Sequence, residues 1–383
     1  NTRRVAVVDN GVPKDCIVSG SFWRLGLKAE INPRFALAFL LSDTGQLLKR
    51  RWVSNSVISW IDPHSFRRFL IPFPDRSIQD YIGAKVELAE RCRAAAAKHW
   101  SQAARDLAAA MRTSLDAATF EVRSAASVSA AGYEVASIRP VVVRVDPNRL
   151  ERYIGAQFFH PRRAKALLVI EQSGLETKRL ADLATRFADR ITSEEMRQRD
   201  LVYIGLAQID SATGFVSKNS EEEATGSSAR FAAGDILFSK LRPYLNKVSI
   251  CPEYLAEAAG STELVTYRAN DGVDPYYVFF VLKSPLVLNQ VIDITSGSTH
   301  PRVAPELIDD IKVPLVPLAE RTAIGASVHS SLVLTHRATE LVDEAKADVE
   351  ALIEGTLDTK AILSGKLKPP TEDEVLDETG GGA

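Results

Sequence analysis

Cysteine is scarce in this sequence. The 383 residues include 3 cysteines, Cys16, Cys92 and Cys251, and these lie far apart. A small secreted domain would need an even set of closely spaced cysteines, so the disulfide-stabilised class is excluded and a reducing cytoplasm is the expected compartment. The 6 histidines are scattered too, and no Cys or His pair has the short spacing of a zinc site. The sequence therefore predicts neither a disulfide framework nor a metal site.

Long apolar runs are also missing. The most apolar stretch, residues 36–41, is far shorter than the roughly 18 residues that a membrane-spanning helix needs, so we expect no membrane partner. With 45% hydrophobic and 25% charged residues, the composition is that of a globular protein. The length allows two or three domains.

The common catalytic signatures are absent: there is no Walker A loop, nucleophile elbow, His-Glu-x-x-His or Gly-x-Gly-x-x-Gly. Residues 274–277 partly resemble the Asp-Pro-Pro-Tyr loop of adenine methyltransferases, but the second proline and a glycine-rich cofactor loop are missing. Residues 176–178 could end a nuclease carboxylate-lysine motif, although loop charges are the favoured interpretation. An enzyme remains the less favoured alternative.

Charge is unevenly distributed along the chain. The totals, 47 basic and 49 acidic residues, give a net charge of -2. Residues 1–70 nevertheless hold 11 Lys or Arg against 5 Asp or Glu, while residues 371–383 hold five acids and no base. A local basic face of this kind favours a nucleic-acid partner more than the total suggests.

The chain contains one long internal repeat at an offset of 242, the difference between Pro33 and Pro275. The same offset relates the Ile-Gly-Ala sequences at 82–84 and 324–326 and the Leu-Asp pairs at 115–116 and 357–358. Because the offset stays constant without a gap over this long stretch, the sequence predicts two copies of one structural unit. Residues 150–246 have no counterpart in the first copy, so we expect that copy to be incomplete and a native amino-terminal segment to precede residue 1.

Each copy combines a mixed part with a long helix. Short apolar stretches separated by Gly, Asn, Ser and Pro predict strands and turns between 201 and 250, whereas apolar residues after Pro72 and Pro314 recur every three to four positions. This periodicity predicts two helices of about 35 to 45 residues, which could pair antiparallel along their apolar stripes. The predicted fold is α+β, with a first mixed domain at 1–71, long helices at 72–123 and 314–364, a linker at 124–147, a second mixed domain at 148–313 and a disordered acidic tail at 365–383.

Two segments carry the residues best suited to bind nucleic acid. Residues 233–248 place several cations and an aromatic residue after a Gly-Asp turn and a buried strand, and residues 296–302 form a polar loop. Such side chains neutralise phosphates or read base edges, although solvated strand lysines and ordinary loop drift remain open alternatives. The repeat mate of the second loop, residues 54–60, differs from it, as expected for readers of two different sequences. The candidate residues are Lys240, Arg242, Tyr244, Lys247, Ser298, His300 and Arg302 in the second copy, and Arg50, Arg51, Asn55 and Ser56 in the first.

These segments resemble the specificity subunits of type I restriction-modification systems. The resemblance is carried by residues 234–247 (Gly-Asp-Ile-Leu-Phe-Ser-Lys-Leu-Arg-Pro-Tyr-Leu-Asn-Lys), 274–284, 296–298 and 311–321. It covers about 148–363 well and 3–115 more loosely. Arg321 stands where the family usually has Gln.

The resemblance implies two target-recognition domains, the first of them partial, each reading one half of a split sequence in double-stranded DNA. An antiparallel coiled coil of the long helices would hold them apart and dock two DNA methyltransferase subunits. Those partners would bring S-adenosylmethionine and methylate adenine, and a motor-nuclease subunit could join for cleavage. The chain itself would bind no cofactor and carry no catalytic residue. The alternatives are a recognition subunit of a related phage-defence methyltransferase without a cleavage partner, or a helical scaffold for proteins.

Overall fold

The computed structural model describes residues 5–7, 24–53, 61, 63–116, 120, 133–138, 141–150, 153–218 and 226–377. The chain divides into two compact units: the first comprises Asn1–Ala97 and Val333–Ala383, and the second comprises Lys98–Leu332. Within the described ranges, no helix combines the length and the apolar character that crossing a bilayer requires.

Helices and strands alternate irregularly, as in an α+β protein. The helices are α1 (Pro33–Leu41), α2 (Asp43–Arg51), α3 (Pro63–Phe66), α4 (Arg76–Ala110), α5 (Pro161–Ser173), α6 (Leu180–Leu183), α7 (Ser193–Gln198), α8 (Pro275–Lys283), α9 (Pro285–Val291), α10 (Pro305–Asp309), α11 (Leu318–Glu354), α12 (Thr359–Leu363) and α13 (Glu372–Asp377). The strands are β1 (Tyr133–Ile138), β2 (Val141–Val145), β3 (Glu176–Arg179), β4 (Ala184–Phe187), β5 (Arg190–Ile191), β6 (Tyr203–Ile204), β7 (Ser228–Ala232), β8 (Ile236–Ser239), β9 (Val248–Ile250), β10 (Glu257–Gly260), β11 (Leu264–Ala269) and β12 (Lys312–Leu315).

The first unit is built around α1 and the paired parts of the two long helices. Asn32 caps α1 by accepting hydrogen bonds from two backbone N–H groups, and proline at the first helical position favours the same start. The buried face of α1 packs against the amino-terminal part of α4 and the carboxyl-terminal part of α11. Going along α4 from 78 to 96, the packed α11 residues fall from 349 to 334, so the helices run antiparallel in this unit.

The second unit contains two four-stranded sheets, in the orders β5-β7-β10-β6 and β4-β11-β8-β9, and two two-stranded ones, β1-β2 and β12-β3. Most neighbouring strands are antiparallel, but β6 and β10 are parallel. Its largest core joins the sheet of β8 and β11 to α8 and α9 and to the parts of α4 and α11 that belong to this unit. Trp100 of α4, for example, contacts the ring of Phe280 edge-on at 5.0 Å.

The predicted repeat is visible inside each unit. Helices α1 and α8 begin 242 residues apart, at Pro33 and Pro275, and α4 and α11 also begin 242 apart, at Arg76 and Leu318. The Ile-Gly-Ala sequence has the same role in both copies. A Cβ atom at Gly83 would collide with the cap residue Asn32, and one at Gly325 would collide with the cap residue Asp274. Glycine is needed at both positions because the cap of the short helix rests against the long helix there.

The long helices are shorter than the predicted segments. Helix α4 covers Arg76–Ala110 instead of 72–123, and Arg112 follows it in a left-handed conformation that ends the helix. Helix α11 covers Leu318–Glu354 instead of 314–364, because Pro314 belongs to β12 and Gly355 adopts a left-handed conformation after the last turn. The residues predicted to extend α11 instead form the separate helix α12.

The prediction of a disordered tail at 365–383 is wrong for residues 372–377, which form α13. Thr371 and Glu374 bond each other's backbone N–H groups in a capping box. Val375 is only 1% exposed within the first unit, and Glu372 forms an ion pair with Arg91. Buried Val375 and the capping box stabilise this short helix. The acidic composition of the segment had instead indicated disorder. The predicted linker 124–147 likewise includes the hairpin of β1 and β2.

Candidate nucleic-acid interface

The loop of residues 240–247 connects two antiparallel strands of the second unit, β8 and β9. Strand β8 is buried along its whole length and is preceded by the predicted Gly-Asp turn. Asp235 in this turn is 2% exposed, accepts a hydrogen bond from the Ala232 N–H, and receives two more from the guanidinium of Arg268 at 2.8 and 2.9 Å. The Gly-Asp turn therefore has a structural role, and sequence reasoning missed its partner Arg268.

The loop has a constrained backbone. Arg242 and Asn246 have φ angles of 47° and 50°, and they flank a short 3-10 turn at Pro243–Leu245. A left-handed conformation costs a residue with a side chain about 1 to 2 kcal/mol, so it persists only where surrounding contacts hold it. The turn projects Tyr244 and Leu245, which are 48% and 41% exposed.

The two predicted loops lie side by side. The Arg242 N–H donates to the carbonyl of Pro301 at 2.7 Å, and the Val303 N–H donates to the carbonyl of Lys240 at 2.9 Å. The second loop is closed at its base by a reciprocal pair of 2.8 Å backbone hydrogen bonds between Ser296 and Arg302. Residues 240–245 and 298–302 therefore form one continuous edge, which we call the recognition edge.

Glu263, which the sequence analysis did not select, organises the charges of the recognition edge. Its carboxylate receives hydrogen bonds from Arg302 at 2.8 to 3.2 Å, and its carbonyl accepts the Lys240 N–H at 3.0 Å. The hydrogen bond from Arg302 lowers the pKa of Glu263, as do the charges of Lys240, Arg302 and His300, against the opposing effect of burial. Three of the candidate residues, Lys240, His300 and Arg302, are therefore gathered around one ionised carboxylate. Its position directly before β11 carries no signal that a single sequence could reveal.

The candidate residues of the second copy differ in their exposure and in their contacts. Tyr244, Ser298 and His300 are exposed, and Lys240 and Arg242 are half-buried at the same edge. Arg302 is exposed but engaged with Glu263. The Lys247 ammonium instead donates a hydrogen bond to the backbone carbonyl of Ile209. Because this contact engages the ammonium with the backbone of the same domain, Lys247 supports the loop, and its contact with DNA stays a prediction.

In the first unit, Arg50 and Arg51 are exposed in the last turn of α2. The guanidinium of Arg51 lies 5.6 Å from the ring centroid of Trp52, within range of a cation-π interaction. An antiparallel bridge joins Val53 to Ile61, the residues on either side of the 54–60 segment, and the Ser296–Arg302 bridge joins the two ends of its repeat mate. Asn55 and Ser56 lie outside the described residues.

The alternative enzyme motifs have structural roles. Asp274 caps α8, and the Tyr277 hydroxyl donates to the carbonyl of Pro314 at 2.6 Å. Residues 176–179 form the edge strand β3, in which Lys178 pairs with Glu176, so the charges lie on a strand and not on the expected loop. In the part of the chain that the structure describes, no three His, Cys, Asp or Glu side chains are grouped so that they could hold a metal ion.

Comparison with known proteins identifies related chains. No protein-family profile matches this chain. A type I restriction enzyme EcoDI specificity subunit from Escherichia coli is 24% identical over 188 residues, which cover 48% of this chain and 40% of that subunit. The chain therefore matches less than half the length of that curated relative.

Two solved structures are also similar in part. The HsdS subunit from Thermoanaerobacter tengcongensis has 24% identity and a TM-score of 0.34, with 48% of each chain covered. The type I restriction-modification S subunit from M. genitalium has 14% identity and a TM-score of 0.36, with 89% of this chain and 74% of that chain covered. The predicted resemblance, carried by residues 234–247 and 311–321, is confirmed by the curated relative: this chain is similar to the specificity subunits of type I restriction-modification systems.

Proposed function

We propose that this chain is the non-catalytic DNA-recognition subunit of a type I restriction-modification complex and reads a bipartite target in double-stranded DNA. The observation that carries the proposal is the recognition edge, in which two loops joined by backbone hydrogen bonds bring together Lys240, Arg242, Tyr244 and His300. The partial match to the Escherichia coli specificity subunit supports the same function.

The chemistry of the recognition edge suits duplex DNA. Ammonium and guanidinium groups neutralise phosphates, and an arginine can also donate two hydrogen bonds to the O6 and N7 atoms of guanine. We assign Lys240 to a phosphate and Arg242 to a base edge. Ser298 and His300 supply further donors and acceptors for base edges. In the first unit, the equivalent contacts come from Arg50 and Arg51 at the end of α2, together with Asn55 and Ser56.

In the proposed complex, α4 and α11 form an antiparallel coiled coil that separates the two recognition domains and docks two DNA methyltransferase subunits. The antiparallel packing of these helices in the first unit supports this role. The methyltransferase subunits would bind S-adenosylmethionine and methylate adenine, and a motor-nuclease subunit would add cleavage. The assembly would act in the cytoplasm.

The function is tested by measuring how the full chain, purified with its methyltransferase partner, binds duplex DNA at several salt concentrations. We expect Arg242→Ala to lower specific affinity by about 1 to 3 kcal/mol while sparing a scrambled duplex. We expect Lys240→Met to weaken both duplexes alike and to reduce the salt slope by about 1. The exposed helix residue Arg105 supplies the control, Arg105→Ala, which should leave both affinities unchanged. Absence of salt-dependent binding by the wild-type complex would favour a protein scaffold instead.

A further inference from the structure

A buried lysine lies beneath the recognition edge. Lys283, the last residue of α8, is only 4% exposed. Its ammonium donates hydrogen bonds to the carbonyls of Asn246 at 2.9 Å and Ser211 at 3.0 Å, and a longer one to Val248 at 3.4 Å. One side chain therefore ties the end of the recognition loop to the neighbouring 210–213 turn.

The contact between Lys283 and Asn246 is reciprocal. The Asn246 side-chain amide donates to the carbonyl of Lys283 at 2.9 Å, while the lysine ammonium donates to the carbonyl of Asn246. Asn246 is the left-handed residue that ends the turn carrying Tyr244. Since an unfavourable backbone conformation persists only where its surroundings determine it, this pair is the contact that holds the turn at its carboxyl end.

The other end of α8 is anchored as firmly. Asp274 caps the helix against Gly325 of α11, and Tyr277 bonds the backbone of Pro314 just before α11 begins. Helix α8 thus links the start of α11 to the recognition loop within the second unit. The equivalent of Lys283 in the first copy, 242 residues earlier, is Leu41, so this connection belongs to the second copy alone.

A buried ammonium is an unfavourable choice for stability alone. Taking a charge out of water costs more than backbone carbonyls usually return, and an apolar side chain of similar size is often as stable or more so. Two charged groups affect the pKa of Lys283: Asp210 raises it and Lys247 lowers it. Packing alone therefore does not explain a lysine at this position, where a methionine would be the more favourable side chain.

We propose that Lys283, acting through Asn246, is the positioning residue that presents the 240–245 segment to DNA. This inference rests on the proposed function of the recognition edge. Lys283 itself does not reach the DNA, so its loss should disorder the loop without removing a phosphate contact. Specific affinity should therefore fall while the salt dependence stays as in the wild type.

The test compares Lys283→Met, Asn246→Gly and their combination in the full chain with its methyltransferase partner. The probe is a duplex recovered by the wild-type complex from a randomised pool, and a scrambled duplex measures nonspecific binding. Lys178→Met removes one positive charge from an exposed position on β3 and serves as the charge-matched control. Glycine at 246 tolerates the left-handed backbone but lacks the side-chain amide, so this variant keeps the test valid even if Lys283→Met folds poorly.

We expect each single variant to lose roughly tenfold in specific affinity, with an unchanged salt slope and a thermal midpoint no lower than that of the wild type. Each single variant removes one of the two hydrogen bonds of this reciprocal pair, and because the pair acts as a unit, the combined variant should lose less than the sum of the two single losses. Hydrogen exchange should accelerate in 240–247.

Variants that bind as tightly as the wild type, or additive losses in the combination, would overturn the inference and leave the proposed function intact. A wild-type complex that binds no duplex would overturn both.

Discussion

At the scale of single residues, the recognition edge depends on side chains that lie outside its two loops. Glu263 holds Arg302 by a fork of hydrogen bonds and attracts Lys240 and His300. A carboxylate at a DNA surface repels phosphate, so its presence lowers nonspecific affinity while it fixes the orientation of the arginine. Under the proposed function, this arrangement should improve discrimination between duplexes.

Replacing Glu263 by Gln should therefore lower the ratio of specific to nonspecific affinity. Removal of the negative charge should raise binding to a scrambled duplex by about 2- to 10-fold, since one more cation becomes available to phosphates. Binding to the selected duplex should rise less or fall, because Arg302 loses its fixed orientation. Competition between the two duplexes measures the ratio. An unchanged ratio would show that Glu263 has no part in discrimination.

Lys283 also predicts a pH dependence of stability. Burial lowers its pKa from 10.5 to about 7 in the folded chain. Below pH 7 the lysine is charged in both the folded and the unfolded states, so the full cost of burying the charge is present. Between the two pKa values only the unfolded state holds the proton, so stability rises with pH across this window. Lys283→Met lacks this contribution.

The measurement is the difference in thermal midpoint between Lys283→Met and the wild type from pH 6 to pH 9. We expect the advantage of the variant to be largest at pH 6 and to shrink as the pH rises. Taking the difference cancels the contribution of Lys49, another buried lysine whose pKa burial lowers to about 8. A difference that stays constant with pH would contradict the assignment.

At the scale of elements, the helix pair of the first unit contains an unusual polar contact. Lys85 on α4 is buried and lies 2.7 Å from Asp348 and 3.5 Å from Glu344, both on α11. Burial raises the pKa of Asp348, although Lys85 acts in the opposite direction. A buried ion pair adds little net stability but penalises every other register of two helices, and here it fixes the register of α4 against α11.

Breaking this pair should be more harmful than removing it. We expect Lys85→Met to lower the free energy of unfolding by about 2 to 4 kcal/mol, because Asp348 is left without its partner. The double variant Lys85→Met with Asp348→Leu should recover most of that loss. Denaturant titrations of the four chains in this cycle provide the measurement. A double variant as unstable as Lys85→Met would contradict the interpretation.

The elements show which parts of the structure a single sequence can predict. The repeat offset predicted two copies of one unit, and the short helices and the long helices of the two copies do begin 242 residues apart, although the long helices begin at Arg76 and Leu318 and not at 72 and 314. Helix ends were harder to predict: Gly355 is a stop signal that the sequence displays for α11, whereas the left-handed Arg112 that follows α4 carries no such signal.

Within the candidate site, the two loops were predictable from their polar and cationic composition, but their internal contacts were not. Lys247 looks like a surface cation in the sequence, yet its ammonium bonds a carbonyl from a segment 38 residues away. Glu263 and Lys283 come from strands and helices remote in sequence from the loop they support. Long-range contacts of this kind leave no periodic or compositional trace.

At the scale of the whole molecule, the proposed function requires two recognition surfaces that act on one DNA target. Each copy combines a loop closed by an antiparallel bridge with a short capped helix that contacts the start of a long helix. The two copies therefore share these features but differ in sequence at 54–60 and 296–302, which suits the recognition of two different half-sites. Such a bipartite reader produces contacts at a fixed separation along the duplex, whatever the sequence between them.

The most direct test is a footprint of the complex between this chain and its methyltransferase partner on DNA selected by that complex. We predict two short protected blocks, separated by an unprotected spacer of constant length in every selected duplex. Arg242→Ala should weaken one block and leave the other protected. A single protected block, a spacer that varies between duplexes, or no protection would contradict the claim of a bipartite reader.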